Sequence, residues 1–407
     1  MASDPARRTF RLVWLNNFVT AIGMMGFLPL FPLLLRDLGV RDDDAVKAWS
    51  GVLVGAAPLT AAFMGPVWGV VGDRIGRKPM MVRANLAITV FVGLMAFART
   101  PQQLLALRLA QGVFSGFIAP SITLVSVNTP LHRQGHVTGL LATAVMAGSL
   151  VGPTLGGLAA DHAGFAAVFA GCAALSALAA ALVAWGVREE RHPADDAPLT
   201  AGGVLAALRR DLLVFLQPGL LRTVVVVVFV TRFGMRLVDP VLALWVEQLG
   251  GTPPERLGTV TGSLFSATAL ATLVCTPLWG RFGDRRGHGR VLAACAGVGA
   301  AGYLAQGLVG SVTPLWPLRF VSGAFLAGCQ PAAFALAAQA SAQERRGAVL
   351  GLAFGSQVLA NAMGPAAGGA LASVLGLREL FVVAATLMGG AALVACLHAR
   401  RAARSGV

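Results

Sequence analysis

The sequence predicts an all-α membrane protein of twelve spans, arranged as two related six-helix bundles, and three observations carry that prediction. Of its 407 residues 56% are hydrophobic and only 12% charged, with a mean hydropathy of +0.73. Apolar stretches of about 20 residues, the length a helix needs to cross a bilayer, recur along the whole chain. The third observation is a repeat. Gly69-Val70-Val71-Gly72-Asp73-Arg74-Ile75-Gly76-Arg77-Lys78 returns, offset by 211 residues, as Gly280-Arg281-Phe282-Gly283-Asp284-Arg285-Arg286-Gly287-His288-Gly289. Pro66, Trp68, Arg108, Gly112 and Pro120 find Pro277, Trp279, Arg319, Gly323 and Pro331 at the same offset. One inserted residue later the offset is 212, pairing Gly152-Pro153 with Gly364-Pro365, Gly156-Gly157 with Gly368-Gly369, and Gly164 with Gly376. Tryptophan, aspartate, arginine and proline falling into one register point to a duplicated unit, not to chance in an Ala- and Gly-rich chain.

Taken in order, the spans fall near 10–35, 50–71, 80–98, 104–127, 137–160 and 165–187, then near 219–246, 257–280, 290–309, 314–338, 347–374 and 379–399. Each must be helical, because backbone groups facing lipid find no water to satisfy them. The expected domains are an N-terminal bundle over 1–187, a cytoplasmic linker over 188–218 and a C-terminal bundle over 219–407. The linker holds Glu189-Glu190-Arg191, Asp195-Asp196 and Arg209-Arg210-Asp211, a composition that does not enter hydrocarbon. Within it Gly202 to Leu216 is either a short amphipathic surface helix or a plain tether.

The net charge of +14 would suit a nucleic-acid binder, but in a membrane protein the placement of charge outweighs its sum. With the N-terminus cytoplasmic, 22 Arg and Lys residues collect on that side and 6 on the other. The expectation is a multi-pass protein of the cell inner membrane with both termini cytoplasmic, a lipid bilayer as surroundings and no nucleic-acid partner. Met1 to Arg11 is too short and too directly joined to a full span to read as a cleavable signal. Cys172, Cys275, Cys295, Cys329 and Cys396 lie in apolar spans without metal-ligand spacing and read as small core residues. No metal cluster, phosphate loop or catalytic constellation stands out, so an enzyme has no residues to rest on, and no cofactor is expected beyond a proton gradient.

Function is read from charges placed where they cost energy. The spans hold one clear acid, Asp239, and four arginines, Arg108, Arg232, Arg236 and Arg319. Arg232, Arg236 and Asp239 share one helix face, which should point into an aqueous cavity. Asp239 is either a carboxylate that alternates between protonation and pairing with a cation, or a fixed partner that neutralises Arg236; both readings stand open. Further polar lining is expected from Asn16, Asn17, Gln111, Asn128, Gln330, Gln357 and Asn361, with Gln357 and Asn361 on one face. Met24, Met25 and Phe27 would give a pliable apolar wall, although such residues at helical spacing also serve as core.

Three motifs carry a family resemblance. Gly69-x-x-x-Asp73-Arg74-x-Gly76-Arg77-Lys78 resembles motif A of the major facilitator superfamily, echoed by Asp284 and Arg285. Arg108-x-x-Gln111-Gly112 resembles its motif B. Gly148-x-x-x-Gly152-Pro153-x-x-Gly156-Gly157 is similar to motif C, the antiporter signature of the twelve-span drug:proton antiporters. The resemblance covers nearly the whole chain and implies the major facilitator fold, working by alternating access about a midplane site. It implies that motif A latches the halves on the cytoplasmic side, that motif C pairs helices across their interface, and that Arg108 assists proton transfer. In physical terms Gly69 and Gly76 would permit a helix end and tight turn, with Asp73 facing a helix N-terminus or a cation such as Arg133. In motif C, Pro153 removes a backbone hydrogen bond, while glycines spaced by four admit another helix. Span 1 carries no acid, a departure from many drug exporters of the family.

The resulting expectation is a monomeric secondary transporter that exports lipophilic small molecules, a multidrug efflux antiporter exchanging them for protons. The excess of intramembrane arginine motivates an alternative, an exporter or flippase of an anionic or amphipathic metabolite. A non-transporting sensor of the same fold would need no titratable residue such as Asp239.

Overall fold

The structure, a computed structural model, describes residues 4–127, 129, 131–187, 189, 220–339 and 346–404. The expected surface helix at Gly202 to Leu216, the rest of the linker apart from Glu189, and Asn128 lie outside the described residues.

Among the described residues every regular element is helical. Helix α1 (Asp4–Phe27) runs through a single 3-10 turn at Leu28–Leu30 into α2 (Phe31–Asp37), with Pro29 and Pro32 at the first positions of the new turns, where a missing N–H is tolerated. It is followed by α3 (Asp43–Ile75), α4 (Arg77–Met95), α5 (Pro101–Phe114), α6 (Ile118–Val127) and α7 (Leu131–Gly186). Thr100 caps α5 by accepting from the Gln103 amide. The second set begins with α8 (Leu220–Val238), a 3-10 turn at Asp239–Val241 and α9 (Leu242–Leu249). It continues with α10 (Leu257–Arg286), α11 (His288–Leu308), α12 (Leu315–Leu326), α13 (Cys329–Gln339), α14 (Arg346–Leu375) and α15 (Leu377–Arg404).

Ten described stretches are long and apolar enough to cross a membrane. One of them, 133–186, is two spans, because Gly164 leaves the helical region at φ 79°. The α8–α9 rod, which carries Arg232, Arg236 and Asp239, completes the expected twelve. Several helices outrun their apolar stretches. Gly69 and Gly76 would each permit a helix end, and of the two the turn is made at Gly76, φ 110°, while α3 continues past Gly69 to Ile75 with open space around Gly69. The backbone stays hydrogen-bonded past the last apolar residue because extending a helix adds one bond for each residue it fixes.

The duplication is visible atom by atom. Trp68 Nε1 donates to the Val113 carbonyl at 2.6 Å, and Trp279 Nε1 to the Ala324 carbonyl at 2.6 Å. Gly76 and Gly287 open α4 and α11 with positive φ, and Gly164 and Gly376 break the later rods in the same way. Arg108 and Arg319 are both 2% exposed.

The chain forms two compact units: residues 1–39, 56–200 and 253–266 in the first, and 40–55, 201–252 and 267–407 in the second. In the first, α1 and α4 pack along α7 around Val13, Met81, Leu141 and Val183. In the second, α8 packs on α14 and α15, and α11 on α15, with Trp245 against Phe381 at 5.5 Å. Lipid tails are as apolar as these side chains, so specificity comes from close backbone approach and buried polar contacts.

Candidate functional site

The second unit gathers the polar residues of the seventh span into a ladder. Arg232 and Arg236 lie one turn apart on α8, and Gln357 and Asn361 one turn apart on α14. Gly364 on α14 lies against Arg236 with no side chain between them, so the two helices run close. Arg236 Nε accordingly donates to Asn361 Oδ1 at 2.8 Å, and Arg232 Nε to Gln357 Oε1 at 3.4 Å. Arg232 Nη2 also donates to Gln330 Oε1 on α13 at 3.2 Å.

Asp239 stands at the end of this ladder, in the 3-10 turn after α8, with its side chain 15% exposed. Its Oδ2 accepts from Arg236 Nη1 at 2.8 Å, and its Oδ1 lies 3.9 Å from Arg319 Nη1 on α12. The Arg319 guanidinium lies 5.9 Å from the centre of the Tyr303 ring, the single tyrosine of the chain. Six expected residues, Arg232, Arg236, Asp239, Gln330, Gln357 and Asn361, thus meet in one place. The Asp239 contact with Arg319 and the seat of Tyr303 were not anticipated. Their partners are dozens of residues away in the chain, and only the uniqueness of the tyrosine offered a hint.

The remaining cavity candidates belong to the first unit. Asn17 is buried and donates to Ser121 Oγ at 3.0 Å, within a polar knot in which Thr20 donates to Asn85 at 3.1 Å. Arg108 donates to Gln111 Oε1 at 2.6 Å, with the Phe27 and Phe31 ring centres 5.5 and 5.6 Å from its guanidinium. Met24 is half-buried on α1.

At the motif A turn Asp73 pairs with Arg77, four residues on, and Arg74 and Lys78 flank them. The repeat keeps this pairing: Asp284, next to Arg285, meets His288 Nε2 at 3.3 Å, so histidine takes the place of Arg77. The acid facing a helix N-terminus is Glu189, where Asp73 was expected. Its Oε1 accepts from the Arg77 amide at 2.5 Å and its Oε2 from the Lys78 amide at 2.9 Å. A carboxylate there meets orphan amides and the positive end of the α4 dipole. Glu189→Ala is expected to cost about 0.5–2 kcal/mol, with Glu189→Gln losing less; thermal unfolding of the purified variants in detergent checks this ordering.

The motif C stretch of α7 has two working faces. Gly148, Gly152 and Gly156 receive α1 at Phe18, Ile22 and Gly26. Gly157 meets the Gly258 backbone and the Pro153 carbonyl meets Gly262, both glycines on the first turns of α10. Thr154 Oγ1 lies 2.7 Å from Ser266 Oγ, and Ser266 also reaches the Leu150 carbonyl. Asp161 accepts from the Gly258 and Thr259 amides at 3.0 and 2.7 Å, capping that end of α10. The second unit repeats the packing, with Gly369 on the Lys47 carbonyl and Gly51 on the Pro365 carbonyl. Three of the four glycines of the stretch thus receive α1, and the fourth, Gly157, receives α10.

The family model of the Major Facilitator Superfamily matches residues 13–224 and again 224–407, once for each copy of the repeat. An uncharacterized MFS-type transporter of Bacillus subtilis, YuxJ, is 31% identical over 92% of this chain and 94% of its own. The multidrug resistance protein MdtG of Dickeya zeae is 28% identical over 97% and 95%. A crystal structure of a bacterial homolog of the human lysosomal transporter Spinster superposes with a TM-score of 0.76 at 15% identity, covering 98% of each chain.

Proposed function

The chain belongs to the Major Facilitator Superfamily, and from that membership we propose that it exports lipophilic small molecules in exchange for protons by alternating access of its two halves. The observation that carries the coupling is Asp239, a carboxylate at membrane depth between Arg236 and Arg319. An acid held by two cations can give up one of them, or take a proton, as a substrate enters. Arg232 and Arg236, with their amide partners, would form the polar wall of the cavity. Arg108 would assist proton transfer. The name of the MdtG relative supports a multidrug substrate range. The protein would act as a monomer in the inner membrane, termini in the cytoplasm, drawing on the proton gradient without a cofactor. Motif A, from Gly69 to Lys78, would gate the cytoplasmic side and Gly148 to Gly157 the other.

A second reading has its own support. The ladder holds three arginines, Arg232, Arg236 and Arg319, against one carboxylate, which suits an anionic or amphipathic cargo.

One experiment separates the two: accumulation of lipophilic cations, neutrals and acids in cells with and without the protein, with and without a protonophore. Lower accumulation of cations or neutrals, lost with the protonophore and in Asp239→Asn, is the expected result. A response to acids alone, lost in Arg232→Ala, would overturn it in favour of the second reading.

A further inference from the structure

The first unit carries a groove apart from the ladder of Arg232, Arg236 and Asp239. It is an open groove of about 670 Å³ along α4, with Lys78 and Arg83 at one end and Leu86, Val90, Phe91 and Phe114 along its walls. Leu86, Val90 and Phe114 are 49, 52 and 40% exposed, and Leu94 continues the same stripe one turn on. On a membrane-spanning helix such a face meets lipid. Phe114, the last residue of α5, stands in the wall of the groove, and α6 resumes at Ile118.

Neither Lys78 nor Arg83 forms an ion pair among the described residues. The Glu189 carboxylate is engaged by the Arg77 and Lys78 amides. Arg83 stacks on Trp68, its carbon centre 3.6 Å from the ring, and its Nη2 donates to the Ser115 carbonyl at 3.1 Å. Its Nε and Nη1 are shielded from water without a hydrogen-bond partner among the described residues. Arg83 therefore acts on the groove through its charge, and together with Lys78 it makes a cationic end that attracts an anion such as a phosphate. The scale agrees: from residue 78 to residue 91 a helix rises about 20 Å, close to the half-thickness of a bilayer with its headgroup region, roughly 20–22 Å.

We propose that this groove is a binding site for an anionic phospholipid of the surrounding leaflet, with its phosphate at Lys78 and Arg83 and an acyl chain along Leu86, Val90 and Phe114. The charge of the site selects the headgroup, and its apolar length holds the chain. The site is independent of what the protein exports.

The test is native mass spectrometry of the full-length protein released from nanodiscs of phosphatidylglycerol and phosphatidylcholine in equal amounts. Two cations beside one phosphate should give about a thirtyfold preference for retained phosphatidylglycerol. Lys78→Gln combined with Arg83→Gln should bring the ratio near unity. Arg83 packs on Trp68, so that variant is accompanied by Leu86→Trp, which fills the groove and leaves both cations in place. It too should shed the retained lipid while unfolding at the wild-type temperature. Equal retention of both lipids by the wild type, or undiminished phosphatidylglycerol on Leu86→Trp, would overturn the proposal.

Discussion

Asp239→Ala is expected to be among the most damaging single substitutions in this chain. It removes the carboxylate that Arg236 holds at 2.8 Å and that Arg319 approaches at 3.9 Å, and Arg319 is only 2% exposed. Removing one partner of a buried pair costs about 3–5 kcal/mol, because the remaining charge stays desolvated. The value should fall toward the lower end, since the Arg236 side chain is 39% exposed and partly screened. Asp239→Asn keeps a carbonyl for Arg236 and should lose less. Thermal unfolding in detergent gives the structural part. Substrate-induced proton release, read with a pH dye, gives the coupling part. A folded Asp239→Asn protein that binds substrate without releasing protons would make Asp239 the coupling acid. One that transports and releases protons like the wild type would leave it a fixed partner of the two arginines.

Gly157→Leu should eliminate transport by a different route. A side chain at this position would meet the Gly258 and Thr259 backbone, which has no flexible end to yield. Overpacking costs about 1–3 kcal/mol where neighbours can adjust. Against backbone the upper end applies, on the order of a 100-fold loss in the population of the packed arrangement. The readout is a cross-link. Thr154 and Ser266, whose oxygens lie 2.7 Å apart, become cysteines in a background from which the five native cysteines have been removed. Oxidation should link them readily, and Gly157→Leu should suppress the link. If the contact opens and closes in each transport cycle, the oxidised protein is inactive and reduction restores it. Full transport by the cross-linked protein would show that this packing is static.

The two predictions divide along what a single sequence carries. The twelve spans and the duplication are legible because hydropathy and register are properties of the chain itself: a stretch of about 20 apolar residues must become a helix in lipid wherever its neighbours lie. The shared face of Arg232, Arg236 and Asp239 follows from helical periodicity alone, and so does that of Gln357 and Asn361. The glycines of α7 are likewise visible as small residues spaced by four. Only the tertiary structure decided which helix each of their faces receives, with Gly156 on Gly26 and Gly157 on Gly258. It also decided that Arg319 joins Asp239 and that Glu189, not Asp73, caps α4. Gly69 shows the limit from the other side: a glycine permits a turn without requiring one, and here the helix runs on to Ile75. The physical reason is range. Helix formation and amphipathicity are set by neighbours within about two turns, whereas ion pairs and backbone contacts between helices depend on where separately folded rods come to lie.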